Sequence, residues 1–333
     1  MNVISIVNSK GGVGKTSLAV NLAAGLAHRA LFKKEPGRIA LLDMDPQASA
    51  LDYLSGKRDY PAHGSLAEVI APAEYLEEEG KARPVLAEHM LASRWYENLW
   101  FAPNRPALLN KIGDRLRDSA FEDRVAVLSA ALESLRRAEP TYRTVIIDTR
   151  GTEDMLFVAS MLMATHVLVP VTMDQDALNG AALVTDAVSK IRARLGTDKP
   201  RILGYVANSV NPAQNEDRRI LLALQQRYDG AMFQTLVPRS VRIPEARGAF
   251  VSVFALRPRD NPATLAMTAL VNDIVASQPD ADYFDAKVTV LAEEIRHHVH
   301  EEEMPSEGMF AQCRKSGVDL IALRDAWDGM LAL

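Results

Sequence analysis

The segment Asn8-Ser9-Lys10-Gly11-Gly12-Val13-Gly14-Lys15-Thr16-Ser17 constrains this chain more than any other. It lies between a short apolar run (Val3, Ile4, Ile6, Val7) and a stretch of helical periodicity carried by Leu18, Val20, Leu22, Ala23, Leu26 and Ala27 through about residue 29. Glycines let the backbone turn tightly enough for its N–H groups to converge, and the helix that follows begins with its positive dipole end at the same point. Such a turn cradles phosphate. Lys15 is placed to reach the β and γ phosphates and the Thr16 hydroxyl to reach a magnesium ion, with Gly11, Gly12, Val13, Gly14 and Ser17 completing the contacts. A ligand-free strand-to-helix turn is the competing reading. Two lysines, three glycines and a threonine at fixed offsets after a buried-type strand weigh against it.

With 333 residues, 48% of them hydrophobic and 24% charged, the chain can bury one large core or two unequal ones. No apolar run approaches the roughly 20 residues of a membrane span, and no charged leader precedes the first strand, so a cytoplasmic protein is expected. A single cysteine, Cys313, leaves no internal disulfide framework and no Cys-rich zinc site. The net charge of −5 argues against nucleic acid as a partner until its distribution is considered: residues 281–333 carry −6, leaving +1 on the rest. A local basic face on the body remains open.

Further along, Arg38-Ile39-Ala40-Leu41-Leu42 reads as a strand buried in a parallel sheet, and it delivers Asp43-Met44-Asp45-Pro46-Gln47 to the sheet's carboxyl edge. Thr144-Val145-Ile146-Ile147-Asp148 is a second such strand, and its terminal Asp148 is expected to hold magnesium through water. Residues 115–137 have one helical periodicity, Glu77-Glu78-Glu79 reads as a solvated helix end, and His166 reads as a strand-edge residue. Alternation of buried strands and helices over residues 1–275 predicts an α/β fold, a doubly wound and mostly parallel sheet of P-loop NTPase type. A short helical appendage follows, with the division drawn as 1–279 and 280–333.

The extra lysine in front of the glycines, Lys10, and the sequence Asp43-Met44-Asp45-Pro46-Gln47 resemble the deviant Walker A and A′ motifs of the ParA/MinD family of ATPases. Ser65–Ile70 resembles the family's short helix after the A′ motif, Asn98–Asn104 its next strand and turn, Ala177-Leu178-x-Gly180 a segment packed at the dimer interface, and Val237-Pro238-Arg239 through Glu245-Ala246 its Pro-Arg to Glu-Ala signature. The resemblance implies that Lys10 crosses a dimer interface to the partner's nucleotide, and that Asp45 positions or activates the attacking water. It implies that Asp43 supports magnesium and the P-loop, and that Asn208, Pro238 and Arg239 lie beside the adenine. Where the family places a proline after the Walker B aspartate, this chain has Thr149-Arg150-Gly151. The departure leaves the hydrolysis rate open.

The resemblance further implies a homodimer formed on ATP, non-specific DNA contact, nucleoid association, and a ParB-like or other adaptor that stimulates hydrolysis. Candidate phosphate contacts are Arg218, Arg219, Arg242 and Arg247, with Arg257, Arg259, Lys190, Arg192 and Arg194 as further basic residues. No helix-turn-helix extension is expected before the first strand, and the acidic C-terminal segment would be repelled by an anionic membrane. That segment carries an apolar stripe (Val288, Leu291, Ala292, Ile295, Val299) and two i, i+4 pairs, His297 with Glu301 and His298 with Glu302. It resembles half of a hemerythrin-like His-His-Glu domain, which raises iron as a ligand. Two other functions therefore stay open: an ATP-holding scaffold with little turnover, and a metal or redox sensor acting through the C-terminal segment.

Overall fold

Runs of branched apolar residues become strands covered by helices in the computed structural model, which describes residues 1–56, 63–228 and 230–277. The strands are β1 (Asn2–Ile6), β2 (Arg38–Asp43), β3 (Leu91–Ala92), β4 (Leu99–Phe101), β5 (Tyr142–Asp148), β6 (His166–Thr172), β7 (Arg201–Val210) and β8 (Val237–Pro238). They form one sheet in the order β3-β4-β2-β5-β1-β6-β7-β8, parallel throughout except where β3 meets β4. The helices are α1 (Lys15–Lys33), α2 (Ser49–Ser55), α3 (Leu66–Val69), α4 (Ala73–Glu78), α5 (Leu86–His89) and α6 (Pro106–Asp118). They continue with α7 (Phe121–Arg136), α8 (Met155–Met163), α9 (Ala177–Leu195), α10 (Asn215–Arg227), α11 (Arg242–Gly248) and α12 (Pro262–Ala276). The first compact unit is Met1–Asp273.

Central strands are covered on both faces, and their sequences are accordingly continuous apolar runs instead of alternating ones. Val3, Ile4 and Ile6 of β1 and Val145, Ile146 and Ile147 of β5 have no exposed surface. One core packs Leu42 and Ile147 against Leu109, Ile112, Leu132 and Leu156 of α6, α7 and α8. Another packs Val167, Val169 and Tyr205 against Val184, Val188 and Leu224 of α9 and α10. From β1 the chain moves to β2 on one side, and from β5 it crosses to β6 on the other. The carboxyl ends of β1 and β5 thus meet at the point where the winding reverses, the place where open α/β sheets form a crevice.

Three local expectations change. The first helix runs four residues beyond the expected end, to Lys33, and is closed by Lys34 in the left-handed region. The single periodic stretch over 115–137 is divided between α6 and α7, because the backbone turns extended at Ser119 (ψ 157°) and Ala120 (ψ 152°). Glu78 and Glu79 also have partners, Arg115 at 2.7 Å and Lys111 at 3.2 Å, which tie α4 to α6.

Candidate nucleotide site

The Gly-rich turn joins β1 to α1 and is held from both ends by asparagines. Asn8 donates from Nδ2 to the Pro170 carbonyl (2.8 Å) and accepts the Lys10 N–H at Oδ1 (2.9 Å), which fixes the start of the turn to β6. Asn208 of β7 donates from Nδ2 to the Val13 carbonyl (2.7 Å) and fixes its end. Gly14 has φ +87°, and a Cβ there would lie 2.3 Å from Asn208 Nδ2, so this position excludes any other residue on two grounds. Inside the turn, Lys15 Nζ donates to the Lys10 carbonyl at 2.7 Å. Burial lowers the pKa of Lys15, against the opposing charges of Asp148 and Asp45.

Asp43 and Asp148 end neighbouring strands in direct register. Asp43 is fully buried, with Oδ1 accepting the Asp45 N–H (3.0 Å) and Oδ2 accepting those of Ala50 (3.0 Å) and Leu51 (3.3 Å). Burial, then the charge of Asp148, push its pKa well above the usual carboxylate range. Its hydrogen bonds organise the loop bearing Asp45 and the start of α2, whereas the family resemblance implied support of magnesium and the P-loop. Asp45 is half-buried and its Oδ1 accepts the Gln47 N–H at 2.9 Å.

Asp148 accepts the Thr149 N–H at Oδ1 (3.0 Å), while its buried Oδ2 has no hydrogen-bond partner among the described residues. Burial raises its pKa to about 7, with Asp45 adding to the rise and the nearby Thr16 hydroxyl and Lys15 opposing it. An unsatisfied buried oxygen of this kind is costly unless a cation or a donor comes to it. Among the described residues, no group of three or more His, Cys, Asp or Glu could hold a metal alone. The donor set suits a magnesium ion that keeps most of its water and takes few protein ligands.

At the rim, Lys10 extends to β6 and α9, pairing with Asp174 at 2.7 Å and Asp176 at 3.6 Å. The hydrogen bond to Asp174 raises its pKa. For Asp174 burial acts upward but is outweighed by hydrogen bonds from Lys10 and Thr172. On the opposite rim, Gly151 packs against the phosphate loop so closely that a Cβ would lie 2.9 Å from Gly11 N and Cα. Sequence reasoning missed the Asn8, Asp174 and Gly151 contacts, since each depends on a residue more than a hundred positions away.

Asn208, Pro238 and Arg239 are brought together: Asn208 and Val237 are register partners, as are Val210 and Pro238, and the Arg239 N–H donates to Val210. The Asn208 amide nitrogen is engaged by the loop, leaving its oxygen as the group that could meet a base. The basic residues divide into separate groups. Arg218 and Arg219 begin α10 and Arg242 and Arg247 lie on α11, both after carboxyl ends of strands, whereas Lys190, Arg192 and Arg194 end α9 near the amino edge. Arg219 and Arg242 pair with Glu216 and Glu245, Lys190 pairs with Asp186, and Arg194 lies 4.0 Å from the Phe121 ring centroid. His297, His298, Glu301 and Glu302 lie outside the described residues.

A glycine turn opening a helix at the reversal point of a parallel sheet, with a lysine in it and an acid at the end of the next strand, defines a P-loop NTPase. The family described as an AAA domain matches residues 1–199, and the chain belongs to the ParA/MinD family of P-loop ATPases. The chain is 28% identical over 278 residues to the chromosome-partitioning ATPase Soj of Thermus thermophilus, covering 84% of this chain and 97% of that one. Among solved structures it resembles the ATP complex of a variant of McdA from Cyanothece, with a TM-score of 0.66, 18% identity and coverage of 83% and 96%. It also resembles the septum site-determining protein MinD of Pyrococcus horikoshii with Mg-ADP, with a TM-score of 0.59, 19% identity and coverage of 82% and 95%. At these identities the structural likeness speaks for the fold. Among the described residues no helix is long and apolar enough to cross a membrane.

Proposed function

We propose that this protein is an ATP hydrolase working as a switch, which dimerises on ATP and binds DNA non-specifically. An adaptor protein drives its turnover and so partitions or positions a plasmid, chromosome or other cargo. The observation that carries the catalytic part is the unpartnered Asp148 oxygen beside Lys15 and Thr16, with Asp45 across the same crevice. Phosphoryl transfer to water needs positioning and positive charge more than covalent chemistry. Lys15 and the N–H groups of Gly11 to Thr16 hold the triphosphate, and Asp45 orients the water that attacks the γ-phosphate, giving ADP and phosphate. Thr16 and Asp148 would hold magnesium, which when bound neutralises charge on the β and γ oxygens. Asp43 keeps the Asp45 loop in place.

Lys10, carried into the partner's site, makes dimer formation depend on the γ-phosphate, and loss of that phosphate releases it. Arg218, Arg219, Arg242 and Arg247 supply salt-sensitive, sequence-independent DNA contact. Residues 1–279 form the ATPase, and 280–333 form an appended segment. Phosphate release from the full chain, with and without non-specific DNA and compared with Asp45→Ala, tests this reading. The proposal predicts a rate well above that of the variant and raised by DNA. Equal rates would favour an ATP-holding scaffold instead.

A further inference from the structure

Arg150 stands two residues after Asp148, and the main chain on both sides of it is fixed. Thr149 donates its N–H to Asp148 and its hydroxyl to the Ile6 carbonyl at 2.7 Å, and Gly151 packs directly on Gly11 and Lys10 of the phosphate loop. The side chain is less constrained. Its guanidinium pairs with Asp154 Oδ2 at 2.9 Å and donates to Asn110 of α6 at 3.3 Å, and it stays 30% exposed. Asp154 is the fixed member of the pair, because its Oδ1 caps α8 by accepting the Leu156 and Phe157 N–H groups at 3.1 Å each. A partly exposed ion pair of this kind is weak. A triphosphate seated on the loop that Gly151 touches would present several negative charges and acceptor oxygens that fit a guanidinium fork.

The charge balance of the crevice points the same way. Among the described residues Lys15 is the buried cation of the cradle and faces Asp45 and Asp148, while Lys10 and Arg150 each rest on a carboxylate outside it. We infer that Arg150 is a reserve cation for the terminal phosphate: when a nucleoside triphosphate binds, its guanidinium leaves Asp154 for the γ-phosphate of the same chain. A diphosphate offers nothing at that position, so Arg150 discriminates between the two nucleotides. Its departure also removes a tether between the segment after β5 and the first turn of α8, which makes α8 the element that registers the exchange. In transfer, a guanidinium at the γ-phosphate stabilises the charge spread over its oxygens, as an arginine supplied within the same chain can do. This inference rests on the ATP reading above and adds a residue to it.

The test is the affinity of the full chain for a slowly hydrolysed ATP analogue and for ADP, each with magnesium, measured by calorimetry for the wild type and three variants. Arg150→Ala is expected to weaken the analogue about tenfold while leaving ADP within about twofold, and added guanidinium ion is expected to restore part of the loss. Arg150→Lys, which keeps the charge without the fork, is expected to fall between. Asp154→Asn keeps an oxygen to cap α8 but loosens the pair, and is expected to tighten the analogue about two- to fivefold with ADP unchanged. Equal weakening of both nucleotides by Arg150→Ala, or no change in either, would overturn the inference and leave Arg150 a structural tether. Failure of the wild type to bind either nucleotide would instead remove the ATP reading on which the inference stands.

Discussion

Lys15 and Asp148 lie at the floor of the crevice, buried and bound to main chain, whereas Lys10 and Arg150 lie at its rim, partly exposed and each resting on a carboxylate. The floor has one arrangement. Its groups are held by the strand ends and the asparagine ties, and their pKa shifts come first from burial. The rim is held by partly exposed ion pairs, which are weak, and in the proposed cycle it takes a second arrangement in which a phosphate replaces them. Chemistry that must be the same in every cycle sits where the fold is most rigid, and the part that must respond to the γ-phosphate sits where the cost of exchange is lowest.

The contrast breaks most sharply at Lys15. Lys15→Ala is expected to reduce phosphate release by at least about a hundredfold, since among the described residues the floor has no second buried cation. A loss of only a few-fold, measured as phosphate release at saturating ATP, would mean that rim cations carry the transfer. Gly151→Ala comes next. A methyl group 2.9 Å from the Gly11 backbone must displace the phosphate loop, and overpacking of this kind costs about 1–3 kcal/mol. ADP affinity is expected to drop about tenfold in calorimetry, and an unchanged affinity would show that the loop and the segment after β5 are not mechanically joined.

Asp148 sharpens the comparison through pH. Its carboxyl stands near 3.8 in the unfolded chain and at about 7 in the folded one, so between those values the folded protein holds the extra proton and stability falls as pH rises. In magnesium-free buffer, melting temperature is expected to decline from about pH 4 to pH 7 by more in the wild type than in Asp148→Asn. Parallel curves would show that the floor is less desolvated than its geometry implies. The smallest effect belongs to Asp174→Asn, which loosens Lys10 and leaves it only the longer pair with Asp176 at 3.6 Å. Because the pair of Lys10 with Asp174 is over a third exposed on each side, ATP-driven dimerisation is expected to strengthen by no more than about fivefold, read by sedimentation velocity. Abolished dimerisation would make Asp174 an obligatory contact and remove the reserve role of the rim.

The floor was legible in the sequence because a phosphate turn is specified locally, by glycines where φ is positive and a lysine and threonine at fixed offsets. The two buried strands ending in Asp43 and Asp148 were legible for a related reason, since strands covered on both faces show as unbroken apolar runs. The supports of the floor were not. Asn8 tied to Pro170, Asn208 tied to Val13, and Asp43 gathering the N–H groups of Asp45, Ala50 and Leu51 all follow from tertiary placement, and an asparagine or aspartate alone carries no sign of such a partner. Residues 66–89 form three helices of four to six residues, too short for a periodic signal to emerge. The basic residues were visible individually, but their division between two edges of the sheet depends on α9 running back across it.

Sedimentation velocity of the full chain with and without a slowly hydrolysed ATP analogue, for the wild type and Lys10→Ala, tests the central claim most directly. The account predicts a wild type that doubles in mass with the analogue and not with ADP, and a Lys10→Ala protein that binds the analogue yet remains a single copy. A wild type that stays a single copy at saturating analogue, or a Lys10→Ala protein that dimerises as well as the wild type, would contradict it.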